Sequence, residues 1–181
     1  MLQAAHTLLT AHGYDAIGMD HYALRDDSLA IAARSGQLHR NFQGYTTGGE
    51  LELLGVGPTA ISQYVHLFSQ NQRDLKSYYA ALERGELPVE RGLVVRDPAV
   101  LERRGLIRAL MCDFQVTLDL ERFASEWHAL QELAADGLLE LSESQGRDLA
   151  RVTTPGRWLI RTITAVFDPE QSRRASGARG G

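Results

Sequence analysis

At 181 residues, with 44% hydrophobic and 23% charged side chains, the chain has apolar material for one domain or two small ones. A net charge of −4 gives no overall basic field to draw it to nucleic acid or an anionic membrane, and no apolar run approaches the roughly 20 residues of a membrane helix. The single cysteine, Cys112, excludes a disulfide framework and fits a reducing cytoplasm, and the opening Met1-Leu2-Gln3-Ala4-Ala5-His6 lacks the basic and apolar regions of a signal peptide.

Leu2, Ala5, Leu8, Leu9 and His12 fall near helical spacing, so residues 2–12 are expected to form an amphipathic helix ended by Gly13. No capping residue precedes Leu2, so the helix reads as already under way, a piece of something longer. Asp15–Met19 has the content of a short strand and runs into the polar group Asp20-His21-Tyr22. Helix, glycine, strand and polar strand end form the repeat of an α/β fold, where ligand-facing groups sit at the carboxyl ends of strands. Asp26 or Asp27 can cap a second helix over 28–34, closed by Gly36.

Leu38-His39-Arg40-Asn41-Phe42-Gln43-Gly44-Tyr45-Thr46-Thr47-Gly48-Gly49 is too polar and glycine-rich for core. Turn-forming glycines alternating with aromatic and amide side chains suit a loop held against a ligand. Leu51–Val56 then looks like a buried strand, with Gly55 and Gly57 leaving room for another backbone or a ligand. Pro58 lacks an N–H and should end its pairing.

Leu75, Tyr78, Tyr79 and Leu82 mark a helix over about 72–84 that stops at Gly85. Residues 86–95 read as an extended connector and domain boundary. Asp97-Pro98 is a cap followed by proline at the first helical position, opening a helix over 98–112 expected to bury Val100, Leu101, Leu106, Leu110 and Met111 despite Gly105. Asp119 can cap the next, through Phe123, Trp127, Leu130 and Leu133 to Gly137. Strands at 138–141 and 149–152 are expected around polar Ser142–Asp148, and Thr154-Pro155 opens a last helix with Trp158, Leu159, Ile163, Val166 and Phe167. Helices, a hairpin and a helix form a winged-helix-like order. The arginine- and glycine-containing tail from Pro169 is expected to be disordered. No internal repeat is present.

Three stretches carry a family resemblance. Gly18-Met19-Asp20-His21-Tyr22-Ala23, the run from Leu38 to Thr47, and Gly55-Val56-Gly57-Pro58-Thr59-Ala60-Ile61-Ser62 resemble the oxygen-independent coproporphyrinogen III oxidases, radical S-adenosylmethionine enzymes of haem biosynthesis. Ala135–Leu138, Thr154–Arg157 and Leu159–Arg161 are similar to that family's C-terminal domain, so the resemblance spans about residues 1–168. It implies oxidative decarboxylation of two propionates of coproporphyrinogen III to vinyl groups, giving protoporphyrinogen IX. The family's cofactors are a 4Fe–4S cluster on three cysteines and S-adenosylmethionine, of which a second molecule lies beside the first. The resemblance carries Phe42, Gln43 and Ile61 onto positions around that second molecule; Asp20 and His21 follow from their place at a strand end. His39 and Arg40 could pair with substrate carboxylates.

The departure is equally informative. No Cys-x-x-x-Cys-x-x-Cys occurs, and Cys112 alone cannot hold a cluster. The resemblance thus implies the C-terminal part of a cytoplasmic enzyme, monomeric when intact and inactive in this form. Residues 1–70 would be the closing elements of an incomplete α/β barrel, 71–95 a helix and connector, and 96–168 a winged-helix-like lid. With the earlier barrel strands missing, Leu51–Val56 should expose an unpaired edge and an apolar face, making the isolated chain prone to aggregation.

Two other classes of protein could carry such elements. A winged helix that reads DNA would use Ala129–Asp136, which has acids and no Lys or Arg, against phosphate contact. A non-catalytic haem-binding protein would need axial ligands such as His21 or His66. Cys112, Tyr78, Tyr79, Trp127 and Trp158 are expected to be core.

Overall fold

The computed structural model describes residues 2–49, 51–144 and 147–168; the tail from Pro169 expected to be disordered lies outside the described residues. The chain opens with α1 (Leu2–Ala11), the hairpin β1 (Tyr14–Gly18) and β2 (His21–Leu24), and α2 (Ser28–Ser35). α2 is capped as expected, Asp27 accepting from the Leu29 amide at 2.7 Å and Gly36 closing it at φ 68°. The strand after α1 also forms, but its end is not that of an α/β repeat. Tyr14 pairs with Leu24 in an antiparallel ladder, and Asp20 stands in the turn between the two strands. Met19, at φ 50°, lets the chain reverse there instead of running on into a helix. Every ladder among the described residues is antiparallel, and β1 has a partner along one edge only.

The polar loop is pinned by a short ladder between β3 (His39–Arg40) and β4 (Tyr45–Thr46). The strand expected over Leu51–Val56 is absent. Leu53 alone bridges to Gln63, and Leu51, Leu54 and Val56 are 78%, 70% and 84% exposed. The two glycines serve the chain's own backbone. A Cβ at Gly55 would stand 2.7 Å from the Ile61 carbonyl, the Gly55 amide donates to Ser62 Oγ at 3.0 Å, and Asn71 Nδ2 donates to the Gly57 carbonyl at 3.0 Å. The segment is thereby tied down as a loop.

A sheet follows, β5 (Ile61–Gln63), β6 (Leu67–Asn71) and β7 (Val89–Val94), the last within the stretch expected to be a connector. Between β6 and β7, α3 (Leu75–Glu83) starts later than expected because Asp74 is the cap, accepting from the Ser77 amide at 2.8 Å. Tyr78 is buried. Leu75, Tyr79 and Leu82 are 59%, 58% and 44% exposed, so the helix's apolar stripe is left largely uncovered among the described residues.

α4 (Pro98–Asp113) and α5 (Leu120–Ala135) begin where the caps predict, at Asp97 and Asp119. Between them lies β8 (Gln115–Leu118), an unanticipated strand whose Val116 and Leu118 face inward. With β9 (Leu139–Ser144) and β10 (Arg147–Val152) it forms a sheet ordered β8-β10-β9. The last helix is capped by Thr153 and divides at Leu159 into α6 (Thr154–Trp158) and α7 (Ile160–Ala165). Trp127 and Trp158 are half-buried rather than core, and Leu159 is largely exposed. One core runs through the fold: Leu110, Leu130, Ile163 and Phe167 are fully buried, and Ile17, Leu38 and Tyr45 from the first part of the chain join them.

Leu130→Ala in that core should cost about 2–5 kcal/mol, measured by urea unfolding. The exposed Leu51, Leu54 and Val56 should drive self-association. Sedimentation velocity should therefore show concentration-dependent aggregates that the triple serine variant reduces; a monodisperse parent would contradict this.

Candidate functional site

Tyr45 joins the polar loop to α4. Its hydroxyl donates to the Met111 carbonyl at 3.0 Å, a buried contact across 66 residues of sequence. Burial raises its pKa, with Arg40 opposing, so the phenol keeps the proton it donates. Gly18 makes room for the ring: a Cβ there would lie 2.3 Å from the Tyr45 oxygen. Arg40 stacks over the other part of the ring, its guanidinium carbon 5.0 Å from the centroid.

The loop tip is an Asx turn. Asn41 Oδ1 accepts from the amides of Gln43 at 2.8 Å and Gly44 at 3.2 Å, and Gly44 at φ 139° completes the reversal. Gly44 lies against His21, whose Nε2 would be 3.2 Å from a Cβ there. This turn presents Phe42, 58% exposed, edge-on to Phe68 with centroids 5.4 Å apart, and it leaves Gln43 exposed.

Between the loop and α4 lies a cleft of about 720 Å³. His39, Arg40, Asn41 and Phe42 form one wall with Gln63 and Phe68 of the second sheet, and α4 and α7 form the other. It is cationic: among the described residues Arg40, Arg104, Arg108 and Arg161 line it beside one carboxylate, Asp168, which is already engaged. The Arg104 guanidinium sits 4.5 Å from the Phe68 centroid, and burial lowers its pKa. Arg108 Nη1 lies 3.4 Å from His39 Nδ1. Arg40 Nη1 is buried with no hydrogen-bond partner among the described residues. An orphaned buried guanidinium nitrogen is costly, and an anion is its natural partner.

Of the residues singled out from the sequence, Phe42, His39 and Arg40 line this cleft, whereas Gln43 stands at its loop and Ile61 is half-buried on β5. Asp20 and His21 lie at the first hairpin, His21 Nδ1 3.0 Å from Asp20 Oδ1 and its ring edge-on to Tyr45 at 5.2 Å. His66 is exposed at the β5–β6 turn. The residues missed are Phe68, Arg104, Arg108 and Arg161. Their signal was an arginine pair four apart on either side of the helical Gly105, which periodicity alone treats as an imperfection.

Cys112 is buried as expected, and burial together with the Asp113 charge pushes its thiol up to about 11. It offers no thiolate near neutral pH. Among the described residues no group of three or more His, Cys, Asp or Glu could hold a metal, and no helix is long and apolar enough to cross a membrane.

The fold superposes on a solved radical S-adenosylmethionine enzyme, the coproporphyrinogen III oxidase of Escherichia coli, with a TM-score of 0.83 and 39% identity over 93% of this chain and 40% of that one. The chain is thus similar in sequence and fold to part of a radical S-adenosylmethionine α/β enzyme. The particular relatives are oxygen-independent coproporphyrinogen III oxidases. That of Synechocystis is 45% identical over 182 residues, covering 93% of this chain and 38% of its own. That of Thermostichus vulcanus is 49% identical over 181 residues, covering 93% and 54%. The chain therefore spans from about two-fifths to about half the length of these curated relatives. No family model matches.

Because the Cys112 thiol is raised from 9.0 to about 11, its contribution to stability is whole below the lower value and is lost as pH rises toward the upper. Urea midpoints should fall over that interval. At pH 8, iodoacetamide should modify native Cys112 at least about a hundredfold more slowly than the unfolded chain, as peptide mass spectrometry would show.

Proposed function

We propose that this chain forms one wall and the cover of an oxygen-independent coproporphyrinogen III oxidase, with the iron-bearing region supplied from outside these residues. The single observation that carries the reading is the orphaned, buried Arg40 nitrogen in a cationic, aromatic-edged cleft. Coproporphyrinogen III offers what such a cleft lacks, carboxylates on a large apolar ring. The similarity at 35–49% identity supports the same reading.

Residues 1–70 are read as closing elements of an incomplete barrel, to which the open edge of β1 would attach. Residues 71–95 carry α3 and β7 as helix and connector, and 96–168 are read as a winged-helix-like cover built on β8-β10-β9. The sheet β5-β6-β7 crosses the boundary at 70, so those two stretches act as one wall.

A 4Fe–4S cluster does not fit this chain, whose one cysteine is buried with a raised thiol pKa. S-adenosylmethionine fits better at the loop tip, where Phe42 offers an exposed aromatic face and Gln43 an amide with no side-chain partner among the described residues. Reductive cleavage of the cluster-bound S-adenosylmethionine, outside these residues, would supply the radical that removes hydrogen from a propionate, and the loop tip would hold the second molecule beside it. In this reading Phe42, Gln43 and Ile61 hold it by stacking, amide hydrogen bonding and apolar contact. The turn fixed by Asn41 orients Phe42 and Gln43 before the ligand arrives. His39 and Arg40 draw the propionates toward that edge, and Asp20 with His21 backs the loop through Tyr45.

Grafting this chain in place of the matching stretch of the Escherichia coli oxidase should give an enzyme that consumes coproporphyrinogen III. Gln43→Ala in the graft should lower turnover at least about tenfold while iron per chain stays constant. A graft that keeps its iron but lacks turnover would refute the reading, and an unaffected Gln43 variant would remove that residue from the site.

A further inference from the structure

The middle of α4 carries a glycine that the fold itself does not require. Glycine inside a helix is less stable than alanine, yet a Cβ at Gly105 would meet nothing within 4 Å. Its φ is not positive, and no neighbour presses against it. What lies beside it is the cleft, which Gly105 lines together with Arg104 and Arg108. A missing side chain facing a cavity lets a ligand reach the helix backbone.

The arginines point the same way. Elsewhere in the described chain several guanidinium groups find carboxylates, Arg34 and Arg25 on Asp15, Arg73 on Glu90, Arg84 on Glu86 and Arg122 on Glu102, while Arg91 donates to Gln70 and Arg157 lies over the Phe114 ring. On α4 itself Arg103 turns inward to the buried Glu126 at 2.5 Å. Its neighbour Arg104, and Arg108 one turn on, form no ion pair among the described residues; neither does Arg161 on α7. Three cations that form no ion pair among the described residues thus border a patch of bare helix, in a cleft that Asp168 also lines; Arg104 lies over the ring of Phe68, and Arg108 is near enough to Asp113 to act on its pKa.

We propose that Gly105 is the seat for one face of a flat tetrapyrrole, and that Arg104, Arg108 and Arg161 are the specificity residues that hold its carboxylates. The proposal rests on the function proposed above and deepens it, assigning to α4 and α7 the selection of a tetracarboxylate over an uncharged macrocycle. An alanine methyl at position 105 would lift the ring off the helix. Loss of a guanidinium would strip one charge-assisted pair without altering contact with the ring itself.

Binding to the purified 181-residue chain tests this without turnover, using coproporphyrin III, its tetramethyl ester and inorganic phosphate as probes and porphyrin fluorescence as readout. Gly105→Ala should raise the melting temperature by roughly a few degrees while weakening coproporphyrin binding about tenfold, a split that a merely structural glycine would not give. Arg104→Gln and Arg161→Gln should each weaken coproporphyrin binding about tenfold and leave the ester unchanged. Arg122→Gln, whose partner is Glu102 away from the cleft, should bind like the parent. Equal affinity for acid and ester, competition by phosphate at the same concentrations, or unchanged binding by Gly105→Ala would each overturn the proposal. So would a parent that binds no coproporphyrin. The graft's turnover then still decides the proposed function on its own.

Discussion

The hydrogen bond from Tyr45 to the Met111 carbonyl is the constraint on which the site depends. It is the buried polar tie between the loop of the first half and α4 of the second, and both walls of the cleft are referenced to it. Its parts are interlocked. Gly18 leaves space for the phenol, burial keeps the phenol protonated, and Arg40 lies over the ring with one nitrogen buried and unsatisfied. A buried donor is costly to leave unpaired, so the pairing fixes the loop's distance from the helix as well as adding stability.

Around that tie the fold divides its charges unequally. Several arginines away from the cleft sit on local carboxylates, and such exposed pairs add little stability. Those lining the cleft are left to act at longer range on whatever enters. The chain's overall charge is −4, so this local field is invisible in the net balance. Exclusion of nucleic acid from net charge alone would not have been secure, because a concentrated patch can coexist with an acidic surface. The acids of α5, on a different element, leave the cleft as the place where positive charge gathers.

Local signals in the sequence were read well. Asp27, Asp97 and Asp119 cap the helices they were expected to cap, and Gly36 and Gly85 adopt the left-handed conformation at helix ends. These features depend on a few neighbouring residues. Leu51–Val56 failed because its apolar content had no covering surface, so the bonds made by Ser62 and Asn71 decided its path. The three apolar residues of α3 failed likewise, since periodicity marks a face without saying that anything packs on it. β8 was missed because four residues with two inward side chains are too few to stand out. At the candidate site, three of the residues singled out from the motif, Phe42, His39 and Arg40, lie on one wall of the cleft. The opposite wall comes from residues about 65 positions later, and no local pattern links Arg40 to Arg104.

The one-sided pairing of β1 has a wider consequence. A row of main-chain donors and acceptors recognises any extended backbone of suitable direction, with little regard for its side chains. A strand added at that edge would then be selected by register and polarity more than by residue identity. Sequence could drift along that edge while the geometry of its pairing stayed constant.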